Sequence, residues 1–124
     1  MATRNNISKS EILIVDDNPH ILQAMSDLLK TQGLPVLTAR NGWDALVKMK
    51  NDGNICLVLL DLWMPLMDGW EFLHRQKSDP AIADIPVVVL SAIPPASLDG
   101  AEIVLRKPVD PGLLMATVRH YFEM

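Results

Sequence analysis

The residues of this chain best equipped for chemistry are Asp16, Asp17, Asp61, Ser91 and Lys107. Each follows a short apolar run: "EILIV" before Asp16-Asp17, "ICLVLL" before Asp61, "VVVL" before Ser91 and "IVLR" before Lys107-Pro108. Three carboxylates held close together stay ionised only when a cation offsets their repulsion. Oxygen-only donors favour a hard ion, and a small donor set completed by water suits Mg²⁺. Lys107 can balance such a cluster at rest, or hold an anionic oxygen of a group brought to Asp61. A phosphoryl group fits that description. Mg²⁺ and the ammonium neutralise its oxygens, Ser91 donates a hydrogen bond, and Asp61 can act as a nucleophile to give an acyl phosphate. Taken singly, each residue also has an ordinary reading: the Asp pair as a turn or helix cap, Ser91 as a loop hydroxyl, Lys-Pro as a surface turn. Their joint occurrence at strand ends is what argues for a site.

The elements that must position these groups alternate along the chain. Strands are expected at 11–15, near 35–39, at 56–60, 87–90 and 103–106, and their continuous apolar runs suit a parallel sheet covered on both faces. Helical spacing joins them. Ile21, Leu22, Met25, Leu28 and Leu29 form a stripe between Pro19 and Gln32, with Asn18 as cap and Gly33 as stop. A second helix runs from near Asn41 to Gly53 with Ala45, Leu46 and Met49 inward, although Asn41-Gly42 also fits a hairpin turn. A third spans about 69–78, and another begins at Asp110-Pro111. Strand, helix, strand in one direction predicts an α/β fold, a doubly wound five-stranded parallel sheet. Such sheets put their working groups at the carboxyl ends of the strands, where all five chemical residues stand.

Composition sets the outer bounds. The chain of 124 residues, 49% hydrophobic and 21% charged, fits one globular domain, with a polar lead-in at 1–9 and the domain over 10–124. A net charge of -4 without basic clusters argues against nucleic acid or an acidic membrane as direct partner. The single cysteine, Cys56, lies in an apolar run and reads as a buried structural thiol; it fits a reducing compartment. No apolar stretch is long enough to span a bilayer and "MATRNNISKS" lacks the core of a signal peptide, so a cytoplasmic address is expected. His20, His74 and His120 share no ligand spacing.

The blocks "ILIVDDNP", "ARNGWDAL", "VLLDLWMPLMDGWEFL", "VVVLSA" and "RKP", in that order over nearly all of 10–122, resemble the receiver domain of two-component response regulators. The resemblance implies the flavodoxin-like receiver fold and a signalling switch, not an enzyme. It implies that Asp61 accepts a phosphoryl group from a phosphohistidine on a sensor histidine kinase or phosphotransfer protein. Asp17 and Asp61 would bind Mg²⁺ directly and Asp16 through water, with the backbone carbonyl of Trp63 completing the protein ligands. Lys107 and Ser91 would contact the phosphoryl group with help from the Ala92 backbone N–H, and the Lys107-Pro108 bond would be cis. Met64, Pro65, Asp68 and Gly69 would shape the turn, Asp68 as cap of the third helix.

Two departures from the family pattern stand out. Receivers usually carry an aromatic residue three before the Lys, and here Val104 has no ring to rotate. The stretch from Ser91 to Lys107 is short and holds Pro94, Pro95 and Gly100, which predicts a shortened or missing fourth crossover helix. Both fall on the face most receivers use for output or dimerisation, so an altered readout is expected. The expected partners are an unknown downstream protein and, at most, a second copy in a weak homodimer, the chain otherwise being a monomer. Trp63 reads either as a surface hydrophobe or, with Ile93 opposite, as a shield that slows loss of the phosphoryl group. Trp43 is expected on a partly buried helix face and Trp70 at a helix start. Tyr121 and Phe122 are expected to pack on the sheet or form a small docking patch.

Overall fold

The computed structural model describes residues 11–122; the polar lead-in at 1–9 lies outside the described residues. Strands β1 (Glu11–Val15), β2 (Val36–Ala39), β3 (Ile55–Asp61), β4 (Val87–Ser91) and β5 (Ile103–Arg106) pair in the order β2-β1-β3-β4-β5. Every pairing is parallel. The central strand β3 is buried almost throughout, which is why its sequence does not alternate.

Among the described residues four helices cover the sheet: α1 (Pro19–Thr31), α2 (Gly42–Asn51), α3 (Gly69–Lys77) and α4 (Pro111–Phe122). Strand residues turn alternately to two cores. Leu13, Val15, Val58, Leu60, Val87 and Val89 face Ala45 and Met49 of α2 and Phe72 and Leu73 of α3. Ile12, Ile14, Leu57, Leu59, Val88 and Leu90 face Leu22 and Leu29 of α1 and Leu114 and Val118 of α4. Ser26 also lies buried within the α1 stripe.

Local signals set the helix ends. Asn18 accepts the amides of His20 and Ile21, and Asn41 accepts that of Asp44, so Asn41-Gly42 starts a helix and not a hairpin. After α1, Gly33 takes φ +80. Its N–H bonds the Lys30 carbonyl while that of Leu34 reaches Leu29, a Schellman close that glycine permits without strain. Asp110 accepts the Leu113 amide at 2.9 Å at the head of α4.

Residues 92–102 contain no helix, as the paired prolines and Gly100 predict. Leu98 and Ala101 pack in its stead against the core beside α3. Val104, in β5, is partly buried against the same core. Cys56 corrects the expectation of a buried thiol: it is half-buried, because β3 begins at the sheet's lower rim, where Cys56 lies beside Tyr121 and Phe122 in a shallow groove. Burial still pushes its thiol pKa up. Tyr121 and Phe122 pack at the edge of the second core. Among the described residues no helix is long and apolar enough to cross a membrane.

Candidate functional site

The strand order reverses direction between β1 and β3, so their carboxyl ends flank the crevice where such sheets bind ligands. Asp16 and Asp17 follow β1, and Asp61 closes β3. One carboxylate oxygen from each lies within 4.8 Å of the others. Asp16 and Asp61 are buried while Asp17 is exposed, so the cluster opens to solvent on one side.

Lys107 joins them. Its Nζ donates to Asp16 Oδ2 and to Asp61 Oδ1, both at 3.0 Å. β4 and β5 set its place: Ser91 lies opposite Arg106, and the Lys107 amide continues the ladder to the Ser91 carbonyl at 2.9 Å. The following Lys107-Pro108 bond is cis, as the family resemblance implies. Asp16 is also the acceptor of a tight turn, its Oδ1 receiving the Asn18 amide at 2.9 Å. The ordinary reading of the acidic pair as a turn is thus true of Asp16 as well.

Electrostatics at the site are unbalanced. Burial raises the Asp61 pKa above the usual carboxylate value, and the charges of Asp16 and Asp17 add to it against the bonds and charge of Lys107. For Lys107, burial alone would lower the pKa, but its bonds to Asp61 and Asp16 and their charges carry it above the ordinary lysine value. One ammonium faces three carboxylates, leaving the cluster an excess of negative charge. The donor set is all oxygen, open on one side and short of positive charge, and it fits a hard divalent cation.

Ser91 is fully buried, and its Oγ accepts the Ile93 amide at 3.2 Å, so its hydroxyl is engaged by its own loop. Ala92 follows it, exposed at the rim. Trp63 lies two residues beyond Asp61, between the buried Leu62 and Met64, with its ring turned out and 57% exposed. The turn after it contains Leu66 at φ 73, bridged by the Met67 amide to the Pro65 carbonyl at 2.8 Å, a γ-turn. Asp68 then caps α3 by accepting the Glu71 amide at 2.9 Å.

Two features escaped sequence reasoning. The Trp63 and Trp70 rings meet edge to face, centroids 4.8 Å apart and planes at 71°. Gln76, fully buried in α3, donates from Nε2 to the carbonyls of Ile82, Ala83 and Ile85 and so holds the loop leading to β4. A glutamine among apolar helix positions was the available signal. Trp43 is half-exposed with the Arg75 guanidinium 4.5 Å over its ring.

With this geometry in hand, comparison with known proteins defines the class. The family described as response regulator receiver domain matches residues 12–119, and the chain belongs to it. It is 32% identical over 106 residues to the two-component response regulator ORR5 of rice, covering 81% of this chain and 79% of that protein. Identity to the gliding motility regulatory protein of Myxococcus xanthus is 40% over 82 residues, 66% of this chain but 10% of that longer protein. The Vibrio cholerae chemotaxis protein CheY4 superposes with a TM-score of 0.82 at 28% identity, over 90% of this chain and 98% of that one. Receiver domains are signalling switches that bind Mg²⁺ at an acidic site and interact with histidine kinases or phosphotransfer proteins.

Proposed function

We propose that the chain accepts a phosphoryl group on Asp61 from a phosphohistidine of a sensor histidine kinase or histidine phosphotransfer protein, and that the product switches its contacts with a downstream protein. An Asp61 carboxylate oxygen bonds to phosphorus as the phosphorus–nitrogen bond breaks, the imidazole nitrogen keeping the electron pair. Asp17 and Asp61 would hold Mg²⁺ directly, Asp16 through water, and the Trp63 backbone carbonyl would complete the protein set. Bound there, the ion supplies positive charge to the transferring oxygens. Lys107 releases one carboxylate to pair with the phosphoryl group. Ser91 and the Ala92 N–H donate to its remaining oxygens.

The observation that carries this reading is Lys107 bridging Asp16 and Asp61 at 3.0 Å each, in a cluster that Asp17 completes. The ammonium is already seated where an anionic oxygen on Asp61 would arrive. An apolar groove of about 440 Å³, lined by Ile21, Ala24, Met25 and Leu28 of α1 and by Lys107 and Pro108, adjoins the same lysine. Its continuity with the acceptor site supports docking of the phosphohistidine-bearing protein there. Residues 10–124 form the functional unit, cytoplasmic, monomeric or weakly dimeric, with no direct nucleic-acid or membrane partner and no enzymatic turnover of its own.

The test is intact mass after incubation with Mg²⁺ and acetyl phosphate, beside Asp61→Asn. A phosphoryl-sized gain in the parent alone is expected; equal masses in both, with Mg²⁺ binding demonstrated, would leave a phosphorylation-independent interaction module. That second reading draws on Val104 and on the helix-free segment 92–102, which remove the usual means of readout.

A further inference from the structure

The readout itself has a candidate. We propose that the Trp63–Trp70 pair relays the state of Asp61 to the groove between α3 and the helix-free crossover, in place of the missing ring at Val104; the inference rests on the phosphoryl-acceptor reading above. Backbone on both sides of Trp63 is pinned. Leu62 is fully buried, its amide bonds the Leu90 carbonyl at 3.2 Å, and its carbonyl accepts the Gly69 amide at 2.7 Å. The two segments approach so closely that a Cβ on Gly69 would stand 2.6 Å from Leu62 Cδ1 and 3.0 Å from Leu62 Cα. Met64 and Met67 are buried on the other side. A change in the peptide after Asp61 therefore has a soft outlet in rotation of the Trp63 side chain.

That ring ends on Trp70, which is itself 38% exposed. Neither indole is locked in the core, and a single edge-to-face contact is weak enough to be exchanged for another packing. Trp70 in turn lines a groove of about 510 Å³ with Leu73, His74 and Lys77 of α3 and with Ser97–Gly100 of the crossover. In this chain the crossover is a loop, held against α3 by Leu98 and by Gly100 packed on Lys77 and Leu73. The path from acceptor turn to rings to loop is contiguous, and the relay requires its middle member to exchange between two arrangements.

The chain contains three tryptophans, so 5-fluorotryptophan labelling yields three ¹⁹F signals, each assigned by its Trp→Phe variant. Adding Mg²⁺ with beryllofluoride, a phosphoryl mimic, is expected to move the Trp63 and Trp70 signals and leave that of Trp43 in place. Amide exchange across 97–100 is expected to change with the mimic in the parent and not in Trp70→Leu, which should gain phosphoryl mass from acetyl phosphate as the parent does. A static Trp70 signal on a chain that gains phosphoryl mass overturns the relay alone. So does a loop response that persists in Trp70→Leu. Absence of any mass gain on Asp61 overturns the acceptor reading and the relay with it.

Discussion

Asp61→Asn is expected to make the protein more stable while abolishing its chemistry. One oxygen from each of the three carboxylates lies within 4.8 Å of the others, and Asp61 gains one 3.0 Å bond to Lys107. At an effective dielectric of about 20, a like pair at that limiting separation costs about 3.5 kcal/mol and the ion pair gains about 5.5 kcal/mol. Removing the Asp61 charge thus relieves two repulsions for one lost attraction, and it also removes the cost of burying the charge. Solvent at the exposed Asp17 weakens one repulsion, so the net gain is about 1 kcal/mol, or about 3–5 °C in Tm for a chain of this size. Asn can still accept from Lys107.

The pH dependence follows from the raised Asp61 pKa, caused first by burial. Between the unfolded and the folded pKa the native state binds more protons than the unfolded one, so parent stability falls as pH rises through that window. The advantage of Asp61→Asn is accordingly full above the raised pKa and disappears on acidification below the ordinary carboxylate value. Excess Mg²⁺ acts in the opposite sense, stabilising the parent more than the variant, about 2.7 kcal/mol at a hundredfold excess over Kd for full binding. Thermal melts in chelator and in Mg²⁺ between pH 4 and pH 8 measure all three effects. A variant that melts at or below the parent at pH 7 in chelator would refute the reasoning.

Lys107→Met leaves two buried carboxylates without their counter-charge and should cost about 2–3 kcal/mol in chelator, the lysine being 21% exposed; Mg²⁺ should recover part of it. Unchanged melting in chelator would show that Lys107 does not offset the cluster. Trp63→Asn, which replaces the indole beside Asp61 with a small polar group, should speed loss of the phosphoryl group by about tenfold through access of water. Equal decay of the two phosphorylated proteins, followed by mass, removes the shielding role. Gln76→Leu should lower stability by about 2–3 kcal/mol, read as a lower urea midpoint at unchanged slope, because the carbonyls of Ile82, Ala83 and Ile85 lose their shared donor. Met25→Glu in the groove beside Lys107 should slow transfer from a phosphohistidine protein while labelling by acetyl phosphate stays as in the parent. Equal slowing of both donors would place the effect in the site and not in docking.

Much of this was legible along the chain because the determining interactions are local or periodic. "ILIV", "CLVLL" and "VVVL" are apolar without alternation, so only strands covered on both faces satisfy them, and a parallel sheet then carries the residues after them to one rim. Asn18 with Pro19, Asn41 with Gly42 and Asp68 with Gly69 mark helix starts through bonds reaching two or three residues. Pro94, Pro95 and Gly100 excluded a full helix between β4 and β5 by backbone restriction alone. Tertiary structure decided what depends on residues distant in sequence. Lys107 meets Asp16 across 91 positions and Asp61 across 46, so the balance of charge in the cluster exists only once the strands are ordered. The exposure of Cys56 depends on how α4 ends beside β3. Trp63 and Trp70 are close in sequence, yet their contact needs the γ-turn at Leu66 and the approach of Gly69 to Leu62, neither of which composition announces. Strand and helix type follow from short-range sterics and burial period, whereas charge balance and ring contacts follow from where the folded chain brings its ends together.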